Sequence, residues 1–131
     1  TWAACIPNGS GTGSHLETIV FAKTGDTSGT FTLTRLDYAA AENLALAGCT
    51  GAFTTSTSSG TLQFTGTKTI GADTVDEAIQ TEGTNPPEKQ VFLVKDTAPV
   101  TLTTGVLASD GGPVDANGYP TTLDNHPLTK Q

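Results

Sequence analysis

Apolar and polar side chains alternate cleanly over residues 30–36, where Thr32 and Thr34 interleave Phe31 and Leu33, and residues 15–22 place Ile19 and Phe21 on one face and Val20 on the other. Successive side chains of a strand point to opposite sides of the pleat, so a period of two predicts strands with one buried face. Thr24-Gly25-Asp26 and Ser28-Gly29 supply a turn between them, which makes the pair an antiparallel hairpin. The same reasoning predicts a first strand over 2–6, stopped by Pro7-Asn8-Gly9, with a connector over 10–14. Two more strands are expected over 51–57 and 61–69, joined by a turn at Ser58-Ser59-Gly60, with Leu62 and Phe64 sharing a face across Gln63. Residues 73–82 fit either a helix or a strand, because Val75 and Ile79 are both four apart and an even number apart; the strand is preferred. Val91-Phe92-Leu93-Val94 is apolar on both faces, which marks 90–95 as a central strand. A last strand is expected over 100–107.

Residues 39–47 break the pattern. They are almost all helix formers, with Asp37 placed to cap the start and Gly48 to end the run, so a short helix is predicted there. Threonine makes up about a fifth of the chain, and its branched side chain suits a pleated, half-buried surface better than a helix interior. The fold class is therefore all-β: one domain over residues 1–131, an antiparallel barrel or sandwich of about seven or eight short strands with one short helix. Its Gly-, Pro- and Asp-rich end, 109–131, shows no periodicity.

The net charge of −7 argues against nucleic acid, whose phosphates call for Lys and Arg. No apolar run approaches the roughly 20 residues of a membrane span. Cys5 and Cys49 are the two cysteines. An isolated pair without a CxxC partner points to a disulfide rather than to zinc or redox chemistry. The chain starts at Thr1 and has no methionine, so removal of a leader is expected. The location implied is extracellular, secreted or at the cell surface.

Signals for chemistry are sparse. Asp115-Ala116-Asn117-Gly118 and Asp124 occupy calcium-loop spacings, but Pro113 stands where the first ligand belongs; Asp115, Asn117 and Asp124 are a weak metal candidate against an ordinary Asx turn. His15 and His126 lack a nucleophile elbow, and Asp76 and Glu77 fall on opposite faces of a strand. No catalytic residue or cofactor is expected, and the protein reads as a non-enzyme.

Trp2 ahead of the first strands, followed by Thr18-Ile19-Val20-Phe21 and Phe31-Thr32-Leu33-Thr34, resembles small secreted or lipid-anchored bacterial proteins with a lipocalin-like (calycin-type) β-barrel. That resemblance implies a barrel with Trp2 plugging one end. Two functions are weighed, the first on the Thr-rich strands, the low charge and the expected disulfide. The first and favoured is an extracellular structural subunit, of filament or pilus type, that self-associates or binds other surface proteins through strand edges or through its tail, where Tyr119, Pro120 and Leu123 are the contact candidates. The alternative is a secreted barrel holding a small apolar ligand, lined by Phe21, Phe31, Leu33, Leu62, Phe64 and Phe92, with Ile19 and Val94.

Overall fold

The structure, a computed structural model, describes residues 1–8, 13–38 and 49–131. The helix expected over 39–47 and most of the connector over 10–14 lie outside the described residues.

Eight strands form: β1 (Trp2–Pro7), β2 (Ser14–Lys23), β3 (Ser28–Tyr38), β4 (Phe53–Ile70), β5 (Asp73–Glu82), β6 (Glu88–Lys95), β7 (Thr101–Thr104) and β8 (Leu128–Lys130). Each pairs antiparallel with the next, and β8 also pairs with β1, which closes a barrel. The Gln131 amide donates to the Thr1 carbonyl at 3.1 Å, fastening the two chain ends beside this seam. A single 3-10 turn, Ala108–Asp110, is the helical element among the described residues. The expected disulfide is present, joining Cys5 of β1 to Cys49 ahead of β4.

The β2–β3 hairpin has the predicted parity. Ile19 faces Leu33 and Phe21 faces Phe31 across the ladder, all four turned into the barrel. They join Leu62, Ala78, Phe92, Leu102 and Leu128 in one core, with Trp2, Ala4 and Phe64 packed against it. All six expected lining residues are in this cluster. Val94 is at its margin and remains 45 % exposed.

The turn expected at Ser58-Ser59-Gly60 does not exist. Residues 53–70 run as one strand of 18 residues, pairing first with β3 and then, from Gly60 onward, with β5. Gly60 reads as a turn residue in isolation, but the barrel uses it as a gap. A Cβ there would stand 2.0 Å from the Thr81 carbonyl oxygen and 2.7 Å from the Phe31 ring. The ring covers the glycine and takes the volume a side chain would fill.

Residues 73–82 form a strand, as preferred, but Val75 is buried outside the barrel wall, not within it. β7 is shorter than expected, and the chain then leaves the sheet. Residues 105–127 form a strap, part of which, around Tyr119 and Leu123, covers the outer side of β5 and β6 before β8 closes the barrel. A second core lies beneath this strap: Val75, Val91, Leu93 and Tyr119, with Ile70 and Leu123 alongside. It explains the apolar run in β6, whose Phe92 packs inward while Val91 and Leu93 pack under the strap. Tyr119 and Pro120 are buried and Leu123 is half-buried against this core. These three, expected to make contacts with other molecules, are instead engaged within their own chain, because β5 and β6 offer apolar surface that the strap must cover.

Candidate functional site: the barrel interior

The inward side of the β2–β3 hairpin changes character along its length. Direct cross-strand partners run from Phe21 and Phe31, through Ile19 and Leu33, to Glu17 and Arg35, and then to His15 and Asp37. At the apolar end the aromatic rings meet, and a pocket of about 320 Å³ opens beside Phe21, Leu62 and Phe64 toward the β2–β3 turn. Phe92 meets the edge of Phe21, with ring centroids 6.1 Å apart, and contacts Phe64 at 6.2 Å. Trp2, Leu62 and Leu102 join these rings around a cavity of only about 120 Å³.

Toward the polar end the interior opens into a chamber of about 480 Å³. Ile19, Phe21, Phe31, Leu33 and Phe92 form its apolar side. Its polar side is built from Glu17, Gln80, Glu82, Gln90 and Thr104 of the strands, and from Asp110 and Asp124 of the strap. Gln90 is structural: its Oε1 accepts the backbone N–H of Val91 and of Gly105, at 2.8 and 2.9 Å, and so turns the chain out of β7.

The ionisable groups are unevenly satisfied. Arg35 donates through Nε and Nη2 to Asp37 Oδ1, both at 2.8 Å, and this hydrogen bond holds the Asp37 carboxyl below its ordinary value. Asp124 Oδ1 accepts the backbone N–H of His126 at 2.7 Å and lies 2.9 Å from its Nδ1. Burial, with Arg35 adding to it, depresses the pKa of His15, which favours the neutral ring. Its Nδ1 is 2.8 Å from Asn8 Oδ1, so the proton is assigned to Nδ1, and Nε2 stands 3.8 Å from Glu17. Burial pushes the Glu17 carboxyl up; Arg35 opposes that shift, while Asp124 and Glu82 reinforce it. Glu82 and Asp110 make no side-chain hydrogen bond or ion pair with the described residues.

The suggested calcium residues are not brought together as a site. Asp115 Oδ1 accepts the backbone N–H groups of Asn117 and Tyr119, at 2.9 and 3.0 Å, which is an Asx turn. Its other oxygen takes the Lys68 ammonium, while Asp124 is held by His126. Among the described residues no three His, Cys, Asp or Glu side chains are grouped to hold a metal ion.

The polar wall was not singled out from sequence, yet a signal for it exists. Extending the inward parity of Ile19 and Leu33 by one step along each strand places Glu17 and Arg35 inside. No comparable signal marks Glu82, Asp110 or Asp124, since their approach depends on barrel closure and on the path of the strap.

Glu17→Gln is expected to raise stability at neutral pH. A carboxyl whose folded pKa lies above its unfolded value contributes stability below the unfolded value and loses it as pH rises through the folded one. At neutral pH the half-desolvated carboxylate is therefore a net cost, which the neutral amide removes. Urea denaturation at pH 7 should show a gain of roughly 0.5–1 kcal/mol, within the usual span for a relieved functional site. The gain should shrink once pH falls below the ordinary carboxylate range, where both states carry the proton. A loss of stability at pH 7 would mean that Glu17 already has an adequate partner.

No protein-family model, curated protein or solved structure shows a match to this chain.

Proposed function

We propose that this protein is an exported, non-enzymatic binding barrel that holds a small, mainly apolar ligand in its interior, in the manner of the lipocalin-like proteins it resembles. The observation that carries this reading is the chamber itself. About 480 Å³ remains between the aromatic rings and the polar end, within the range of small-molecule pockets, and a closed barrel of eight strands is wide enough to hold one small ligand where side chains do not fill it. The disulfide suits an oxidising, extracellular setting. No helix among the described residues is long and apolar enough to cross a membrane.

Titration with Nile red, a neutral dye whose emission rises and shifts blue in apolar surroundings, tests the reading. One dye should bind per chain. Leu33→Trp, which pushes an indole into the chamber from the middle of β3, should weaken binding by about tenfold or more, the loss expected when a pocket of this size is overfilled. Binding that ignores Leu33→Trp would place the dye outside the chamber, and no binding at all would end the proposal.

The assembly reading keeps one specific support. β5 pairs with β4 only from Gly60 onward, so residues 53–59 of β4 have one side without a strand partner among the described residues. That edge is uncharged and begins at Phe53, which is 52 % exposed; such an edge is a template for another strand. Light scattering and negative-stain microscopy separate the two readings. Oligomers abolished by Thr55→Lys support assembly, and a monomer that binds dye supports the barrel.

A further inference from the structure

Among the described residues the chamber's lining includes four carboxylates, the half-buried Glu17, Glu82 and Asp124 and the exposed Asp110, and no lysine or arginine. The nearest cation, Arg35, stands across the β2–β3 ladder from Glu17, but its guanidinium donates twice to Asp37. Of the two imidazoles at this end, His126 is held on Asp124 and His15 on Asn8. Glu17 is half-buried, and its proton affinity is raised by that burial and by the neighbouring Asp124 and Glu82. Half-buried carboxylates beside an apolar cavity, as Glu17 and Glu82 are, are better satisfied when a positive charge joins them. Acidic residues alone would specify no ligand. Here they cap an unfilled volume walled by Ile19, Phe31, Leu33 and Phe92, so whatever fills the apolar part must also face the acids.

We infer that the ligand is an organic cation: an apolar body seated among Phe31, Leu33 and Phe92 and carrying an ammonium-type group that faces Glu17 and Glu82. This rests on the binding-barrel reading and narrows it. An ammonium donates charge-assisted hydrogen bonds to carboxylates, and these gain strength where water is partly excluded. The aromatic faces beside it add cation–π attraction. The same wall disfavours fatty acids and other anionic amphiphiles, whose head group would meet Glu17 and Glu82 as a like charge. A neutral alcohol would fill the apolar volume and gain nothing from the acids.

The test uses three probes of equal chain length, decylammonium, 1-decanol and decanoate, each displacing Nile red from the full chain at near-physiological salt. Decylammonium should displace the dye at about tenfold lower concentration than decanol, the worth of one charge-assisted hydrogen bond, with decanoate the weakest. In Glu17→Gln/Glu82→Gln, decylammonium should fall to the level of decanol while decanol itself is unchanged. Both substitutions remove charge without removing volume, so the variant keeps its fold, which an unchanged decanol affinity verifies. Asp26→Asn/Asp96→Asn deletes the same charge outside the chamber and should keep the preference. Equal displacement by all three probes would overturn the inference and leave the binding chamber standing. So would a preference that survives in Glu17→Gln/Glu82→Gln, since it would then come from the net negative field of the protein. A dye that binds but yields to none of the three would overturn the chamber reading and this inference with it.

Discussion

Tyr119→Ala is expected to lower stability by about 3–4 kcal/mol, in the range found when a large buried aromatic is truncated. The ring is buried against Val75, Val91 and Leu93 and is the centre of the second core. Its hydroxyl is 2.6 Å from Thr65 Oγ1, and Lys89 stands 5.1 Å above the ring centroid while also donating to the Asn117 carbonyl. Thr65 reaches this position because the β4–β5 register slips between Phe64 and Gly66, and a bulge of that kind re-aims the extra side chain. Losing the ring removes what holds the strap to β5 and β6, so those strands should gain hydrogen-exchange rate and proteases should cut within residues 107–118. Tyr119→Phe keeps the packing and gives up one hydrogen bond, for a loss of about 1 kcal/mol. Equal urea midpoints for the two variants would show that the strap is not anchored by the ring. The same contact has an acid limit. The Lys68 hydrogen bond, together with the amides of Tyr119 and Asn117, holds the Asp115 carboxyl below its ordinary value. A carboxyl depressed in this way contributes stability above its unfolded value and loses it as pH falls through the folded one. Loosening of the strap should therefore appear on acidification below the ordinary carboxylate range.

Removing the disulfide, as Cys5→Ser/Cys49→Ser, is expected to lower stability by about 4 kcal/mol in the chain-entropy model. The two cysteines are 44 residues apart, so the link forbids a large set of open conformations to the unfolded chain. β1 would still be held by six register pairs to β2 and by two to β8, so the barrel should remain the folded state, with an unchanged far-ultraviolet spectrum and a lower urea midpoint. A loss below about 1 kcal/mol would mean that the unfolded ensemble is already compact around these residues.

The elements most legible in the chain were those in which one face is buried and the next exposed. Ile19, Phe21, Phe31 and Leu33 declare both their strands and the direction of the barrel interior, because a pleat translates alternation directly into two faces. The all-β class was readable for the same local reason, and the Cys5–Cys49 link from the presence of two cysteines with no CxxC partner. Gly60 was misread, since a glycine after two serines is a turn in isolation and becomes mid-strand only because Phe31 and Thr81 close over it. β8 was missed, since three residues, Leu-Thr-Lys, carry no period and are a strand only through pairing with β1 and β7.

Residue order alone therefore determined which stretches form half-buried strands, which face of the β2–β3 hairpin is apolar, and which two cysteines could join. Tertiary structure decided the rest. Closure by β8 turned a row of strands into a container, and the strap covered Val75, Val91 and Leu93 and so engaged Tyr119, Pro120 and Leu123. Burial beside Asp124 and Glu82 raised the proton affinity of an otherwise ordinary Glu17. Periodicity is a property of neighbours in sequence, whereas a cavity and the electrostatics of its wall belong to residues as distant as Glu17 and Asp124, which meet only when the barrel closes.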